Sequence, residues 1–351
     1  GRFQFRDSTG LIVDQNLDGL RFSFFYPQAS VEFSTGVSIL PNKRSNPVLL
    51  SKSDQNDYTD NGTIMGSPRS VGLLQVAFNN VFQQQLTIIA GFQEDLRHLF
   101  PSRNISLIPE GQTAINPSAG GLVDMQFGGF GLRGNIYDGL FYSLFGVGES
   151  GRTLAYITEA DAVAGTYQYV PILSGMGGLG LNMYLPHFLS SAVEVKGIVS
   201  TGDDWTDRDS FYEGSTSLTP ALFMPVTAKP MSFVFGPSLG NLIAIRASYS
   251  LKPLSWIPGT LTDQFQAHIK YDAFLRFIDG PISVRIPNTV SDDMYLGSEV
   301  SLTLGFRPFS DLGVSLQTGV FLPNAVSDGP FDTDGSRDAR VNIELSGSFS
   351  F

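Results

Sequence analysis

Residues 29–40 read ASVEFSTGVSIL, and this stretch decides how the rest of the chain is understood. Ala29, Val31, Phe33, Val37 and Ile39 fall on one side of an extended backbone. Ser30, Glu32, Ser34, Gly36 and Ser38 fall on the other. A period of two with one greasy and one wet side predicts a strand, not a helix.

Working outward, the same alternation returns. Over 265–277, Phe265, Ala267, Ile269, Tyr271, Ala273, Leu275 and Phe277 oppose Gln266, His268, Lys270, Asp272 and Arg276. Over 296–307, Leu296, Val300, Leu302, Leu304 and Phe306 oppose Glu299, Ser301, Thr303 and Arg307. Residues 312–322 alternate in the same way, and 339–351 set Val341, Ile343, Leu345, Phe349 and Phe351 against Arg340, Asn342, Glu344 and Ser346. Weaker members are 2–7, 19–26, 70–79, 82–92, 120–134, 139–148, 174–185, 189–201 and 240–251. In 120–134 the phase slips after Phe127, and Gly128-Gly129 is the expected bulge. Fourteen strands follow, most near the 9–11 residues that a tilted membrane strand needs.

Charge placement separates a membrane barrel from a soluble sandwich. Within the predicted strands, Arg21, Glu32, Asp124, Glu194, Lys196, Arg246, Lys270, Asp272, Arg276, Glu299, Arg307, Arg340 and Glu344 all take the polar face. A barrel of 14 strands is too wide for side chains to fill, so the polar face lines a wet lumen and the apolar face meets lipid. With His268, these residues form the predicted pore lining. Connections also alternate. Short ones lie near 27–28, 79–80, 135–138, 186–187, 252–263 and 308–311, and long ones near 8–18, 41–69, 93–119, 149–173, 202–239, 278–294 and 323–338. Short periplasmic turns and long outer loops produce this rhythm in an up-and-down barrel. The expected fold is therefore all-β: a closed antiparallel up-and-down transmembrane barrel of about 14 strands, forming a single domain. An arm or plug over 1–26 would leave 12, and a hairpin within 215–236 would give 16, although Pro220, Pro225 and Pro230 oppose it.

Composition agrees. Among 351 residues, charged residues make up only 16%, against roughly 25% in average soluble chains. No apolar run reaches the 18 residues of a membrane helix. The absence of Cys excludes disulfides and thiolate metal sites. A net charge of −11 argues against nucleic acid, whose phosphates need basic patches. Gly1 opens without a basic n-region or an apolar h-region, which fits either a removed signal peptide or none at all.

The final strand, VNIELSGSFSF, resembles the terminal signature of bacterial outer-membrane barrels, in which an alternating strand closes on an aromatic residue. The resemblance implies an outer-membrane location and recognition by the barrel-assembly machinery, with Phe349 and Phe351 as the assembly signal. The stretch from Gly202-Asp203-Asp204 to Gly240-Asn241-Leu242 loosely resembles alginate-export-type porins and transfers no residue roles.

Other motifs read as structure. Gly129, Gly131 and Gly134, and again Gly175, Gly177 and Gly180, match a dinucleotide-binding glycine pattern, but no helix follows either. His98, His187 and His268 are too sparse for a metal cluster, and no serine or carboxylate partners them, so no catalytic role is assigned. Asp54, Asn56, Asp57, Asp60 and Asn61, and separately Asp332, Asp334 and Asp338, offer oxygen ligands for loop-bound Ca²⁺ but lack the full loop spacing. No cofactor is otherwise implied.

On the inward faces, including Arg2, Arg6 and Arg133, basic residues outnumber acidic ones. The sequence reading is therefore a porin for passive diffusion of small hydrophilic solutes, with a mild anion preference. Two alternatives stand beside it: a structural barrel whose loops bind a protein partner, and a transporter of lipid or hydrophobic compounds. The apolar runs within 202–238 are expected either to fold into the pore or to face a partner. Outer-membrane lipid is the expected surrounding, and self-association stays open.

Overall fold

The computed structural model describes residues 1–37, 68–96, 99, 113–114, 123–157, 165–203, 221–257, 264–284, 291–309, 311–332 and 337–349. Its strands are β1 (Arg2–Arg6), β2 (Asp14–Phe25), β3 (Ala29–Val37), β4 (Arg69–Val81), β5 (Gln84–Asp95), β6 (Thr113–Ala114), β7 (Val123–Tyr137) and β8 (Leu140–Ile157). They continue as β9 (Gly165–Leu185), β10 (Ser191–Ser200), β11 (Leu242–Leu251), β12 (Phe265–Arg276), β13 (Tyr295–Phe309), β14 (Leu312–Pro323) and β15 (Arg340–Phe349). Every predicted strand has its counterpart. Each strand pairs with its neighbour in sequence, antiparallel throughout, except that two-residue β6 pairs off the path with β9. The β1–β2 hairpin and β15 are the two ends that an up-and-down barrel brings together, because hydrocarbon tolerates no unpaired edge.

Tight connections gather at one end. Between β4 and β5, Phe82 and Gln83 both take positive φ (53° and 64°), the conformation of a type I′ hairpin turn. Between β7 and β8, Gly139 sits at φ 83°, where a side chain would be strained. Aromatic residues collect at this end: Phe25 (81% exposed), Phe82 (94%), Phe188 (61%), Trp256 (72%) and Phe309 (62%). Such a girdle marks a membrane–water interface.

Register fixes the two faces. Arg246 lies opposite both Lys196 and Asp272, and Asp272 opposite Glu299, so these side chains share the inner face. Val195, Ile245, Tyr271 and Val300 take the outer face and are exposed. Outward charges on the strands, Arg2 and Asp18 (an ion pair at 2.6 Å), Glu94, Asp124 and Arg152, lie at the long-loop level of β1–β2, β5, β7 and β8, Asp18 and Glu94 in one row. Between those ends and the aromatic girdle, the described outer surface of the wall is uncharged.

Several details depart from the sequence reading. No bulge interrupts β7 at Gly128-Gly129: its pairing with β5 and β8 is continuous there. Val123, Met125 and Phe127 therefore face inward, and Asp124, predicted to line the pore, faces outward and bonds Arg152 at 2.9 Å. Leu296, assigned to the lipid face, is fully buried on the inner side. The register shift beside Phe274, opposite Gly297 (φ 144°), turns it inward. The expected long connections at 8–18 and 149–173 are shortened, because β2 begins at Asp14 while β8 and β9 reach Ile157 and Gly165.

The buried apolar residues form two clusters, and both include inward-facing wall residues. One combines Val71, Leu73, Ile89, Met125, Phe127 and Val147 with Phe5, Ile12, Val13, Phe223, Met224 and Val226. The other combines Phe274, Leu296 and Phe321 with Phe235, Ile282 and Phe331. Water-facing positions carry large hydrophobic groups only because other chain segments cover them.

Candidate functional site: the barrel lumen

Antiparallel pairing sets the inner residues of β9 to β15 in rows. One runs Gly180, Lys196, Arg246, Asp272, Glu299, Phe321, Arg340. The next, toward the short turns, runs Asn182, Glu194, Ser248, Lys270, Ser301, Gly319, Asn342. His268 belongs to a third, between Ser250 and Thr303, and Glu344 lies opposite Gln317.

The charges differ in what they touch. Lys196 and Lys270 are half-buried and make no ion pair among the described residues, and Lys196 Nζ stands 5.8 Å from the Phe145 ring centroid. Arg246 donates to Asp272 at 2.6 Å and to the Met231 carbonyl at 2.5 Å. Arg276 is sunk in the wall, its side chain 2% exposed. It donates to Asp279 at 3.0 Å and to the carbonyls of Ser291 and Asp293. It therefore ties down the segment following β12 and does not present its charge to water. Arg340 lies 5.4 Å from the Phe331 ring. Arg21 pairs with Glu32 at 3.3 Å and covers the Phe3 ring at 4.5 Å. Arg307 is exposed toward the short-turn end.

Glu299 is used differently again. Its carboxylate is buried and accepts three successive backbone N–H groups, from Phe233 (2.9 Å), Val234 (3.1 Å) and Phe235 (2.9 Å). Ser301 shares the inner face but is buried, close to Gly319, whose missing side chain leaves room for Phe233 and Val234.

Those contacts belong to an inner strap, residues 221–239. Its near end is fixed by Thr201, whose hydroxyl donates to the Ala221 carbonyl at 2.6 Å and whose own carbonyl accepts the Phe223 N–H. Met224 N–H donates to the buried carboxylate of Glu149 at 3.0 Å. Lys229 pairs with Asp14 at 2.5 Å, and Thr227 N–H meets the Ile12 carbonyl at 3.0 Å. The strap thus joins the turn between β1 and β2. In that turn, Asp7 accepts the N–H groups of Thr9, Gly10, Ile12 and Val13. The hairpin also touches the wall directly: Gln75 donates to the carbonyl of Arg6, at the end of β1, at 2.9 Å and Arg133 to the Ser8 carbonyl in the turn at 3.2 Å.

Sequence reasoning missed Glu149, placed in a loop, and the role of Glu299. The signal was present: Phe274 and Phe321 interrupt wet faces, and such interruptions indicate that something packs over them. His187 lies in the β9–β10 turn. Phe349 faces outward on β15, whereas Phe351, His98, Asp334 and the 54–61 ligand candidates lie outside the described residues.

An uncharged, apolar outer belt around a charged interior defines a membrane-spanning β-barrel of the bacterial outer-membrane type. In line with that class, the chain is similar to the crystal structure of Pseudomonas aeruginosa OccD3 (OpdP). The TM-score is 0.50 at 10% identity, covering 100% of this chain and 74% of that one. It is also similar to the outer membrane protein OprD from Pseudomonas aeruginosa, with TM-score 0.48, 12% identity and 99% and 73% coverage. At 10% identity the likeness to OccD3 (OpdP) is one of fold alone. No protein-family model matches the sequence, and no curated protein does.

Proposed function

We propose that this protein is an outer-membrane channel for passive diffusion of small hydrophilic solutes, with a mild preference for anions. The observation that carries this reading is the partition of charge across the wall. The lipid belt has none, while Lys196, Arg246 and Lys270 occupy adjacent rows of one inner surface. Arg246 is offset by Asp272, and the buried carboxylates Glu149 and Glu299 are engaged with backbone N–H groups of the strap. Lys196 and Lys270, partly offset by Glu194 on the same face, thus carry the preference, in a channel whose low-dielectric wall concentrates their field. Planar-bilayer recording tests it. Open steps with a reversal potential on the anion side at low salt support the reading, and a silent barrel overturns it.

Phe349 and Phe351 serve assembly in this proposal, not transport. Removing residues 349–351 should lower insertion of the heat-modifiable barrel while secretion continues. Normal yield from the shortened chain would refute that role.

A further inference from the structure

A cavity of about 500 Å³ opens on the inner face of β4, β5, β7, β8, β9 and β10, toward the short turns and away from the strap. Its size falls within the roughly 300–1,000 Å³ of small-molecule sites. Amide side chains dominate its lining: Asn79, Gln85, Asn135 and Asn182 arrive from four different strands. Among the described residues, none of these four amides makes a side-chain hydrogen bond to the protein. One aromatic, Phe141, faces inward opposite Asn135 and Asn182 and remains 44% exposed within this polar setting. The floor at Gly180 is bare backbone, where an added Cβ would lie 2.6 Å from Ser143 Oγ.

We propose that this chamber is a binding subsite for a neutral polyhydroxylated solute, a sugar of one to three units. The inference rests on the channel reading and names its solute class. Each amide offers two donors and an acceptor, so a ring of amides matches hydroxyl groups, which also donate and accept. Phe141 supplies an apolar plate for the C–H face of a sugar ring. Its exposure in a water-filled lumen is otherwise unfavourable. Arg133 and Glu194 lie at the chamber as well, with opposite charges. Arg133 is partly engaged by the Ser8 carbonyl, at 3.2 Å. A zwitterionic amino acid is therefore the competing occupant, and the amides favour the neutral one because they outnumber the charges and do not need to be desolvated as ions.

The test is binding of maltotriose to the detergent-solubilised full chain, followed by titration calorimetry and, separately, by block of bilayer current. The expected result is saturable binding that weakens about tenfold in Phe141→Leu or Asn182→Ala, through loss of the apolar plate or of one amide partner. Phe141→Tyr, which keeps the ring, should retain it. Two variants at separate positions, each checked for a heat-modifiable barrel, keep the result independent of folding. Absence of saturable binding, or binding indifferent to both variants, overturns the proposal. Saturable binding of arginine or glutamate without binding of maltotriose also overturns it. Sugar binding by a barrel that passes no ions would sink the channel reading alone, and conduction without sugar binding would sink this inference alone.

Discussion

The two ends of the lumen are built on opposite principles. Toward the long loops, the inner wall carries Ile89 on β5, Met125 and Phe127 on β7, Val147 on β8, Met176 on β9 and Phe274 on β12, and the strap and the β1–β2 turn pack against this surface. Toward the short turns, the same strands show Asn135, Asn182, Gln85, Ser143 and Lys270, which face open space. One set of strands therefore changes its inner chemistry partway along its length, while its outer face stays uniform. Lipid imposes one requirement along the whole membrane span, whereas the interior answers locally to whatever lies against it.

The strongest way to break this contrast is to remove the ring on which the second cluster turns. Phe235 stacks on Phe321 with centroids 4.3 Å apart and meets Phe274 edge-on at 5.4 Å. Phe235→Ala should weaken strap docking by about 3–5 kcal/mol, the usual loss for a buried Phe. Single-channel conductance should rise and proteolysis near 231–235 should accelerate, with the barrel itself intact. Unchanged conductance would show that the strap does not narrow the path.

A second test probes the faces of the wall. Leu302→Arg places charge in the lipid belt and should cost about 2–4 kcal/mol near the midplane. Thr303→Arg, one residue on and inward, should be close to neutral in urea titration of refolded barrels. Ser301 is unsuitable as the inward control because it is buried beneath the strap. Equal losses at 302 and 303 would overturn the register.

Glu299→Gln sharpens the contrast more gently. The side chain keeps its length but loses the charge that holds three N–H groups, at a cost of roughly 1.5–3 kcal/mol for charge-assisted bonds. Faster hydrogen exchange at Phe233–Phe235 is expected, without a change in barrel yield. Exchange as slow as in the parent protein would show that the neutral amide holds the strap equally well.

The smallest effect concerns selectivity. Lys196→Gln with Lys270→Gln should move the reversal potential toward cations at low salt. The shift should shrink as salt rises, since screening acts beyond about 8 Å at physiological strength. Arg276→Gln should instead loosen the segment after β12, because that guanidinium bonds the Ser291 and Asp293 carbonyls. A shift from Arg276→Gln as large as that from the lysine pair would contradict this division.

Strand number, strand order and most of the outer face, save at Asp124, Leu296 and the Val123–Phe127 run, were legible in the sequence, because alternation with period two is a local property and lipid accepts only one answer outside. The stretches 29–37, 265–276 and 312–322 each gave the face that the register confirms. The inner face was legible at the charges of the predicted strands, in water at Glu194, Lys196 and Lys270 and under cover at Asp272, Arg276 and Glu299. Where apolar inner residues lie beneath a folded-back segment, alternation misled. The run Val123, Met125, Phe127 looked like a lipid face displaced by a bulge, yet it is an inner surface beneath a cover. Which inward carboxylates meet water and which hold the strap depends on contacts between residues far apart in the chain: Glu149 with Met224, and Glu299 with Phe233 to Phe235. Period-two patterning reports only whether a position meets an apolar or a polar neighbour. It does not distinguish lipid from a folded-in segment, because both present the same hydrocarbon to the wall, and only the tertiary structure decided between them.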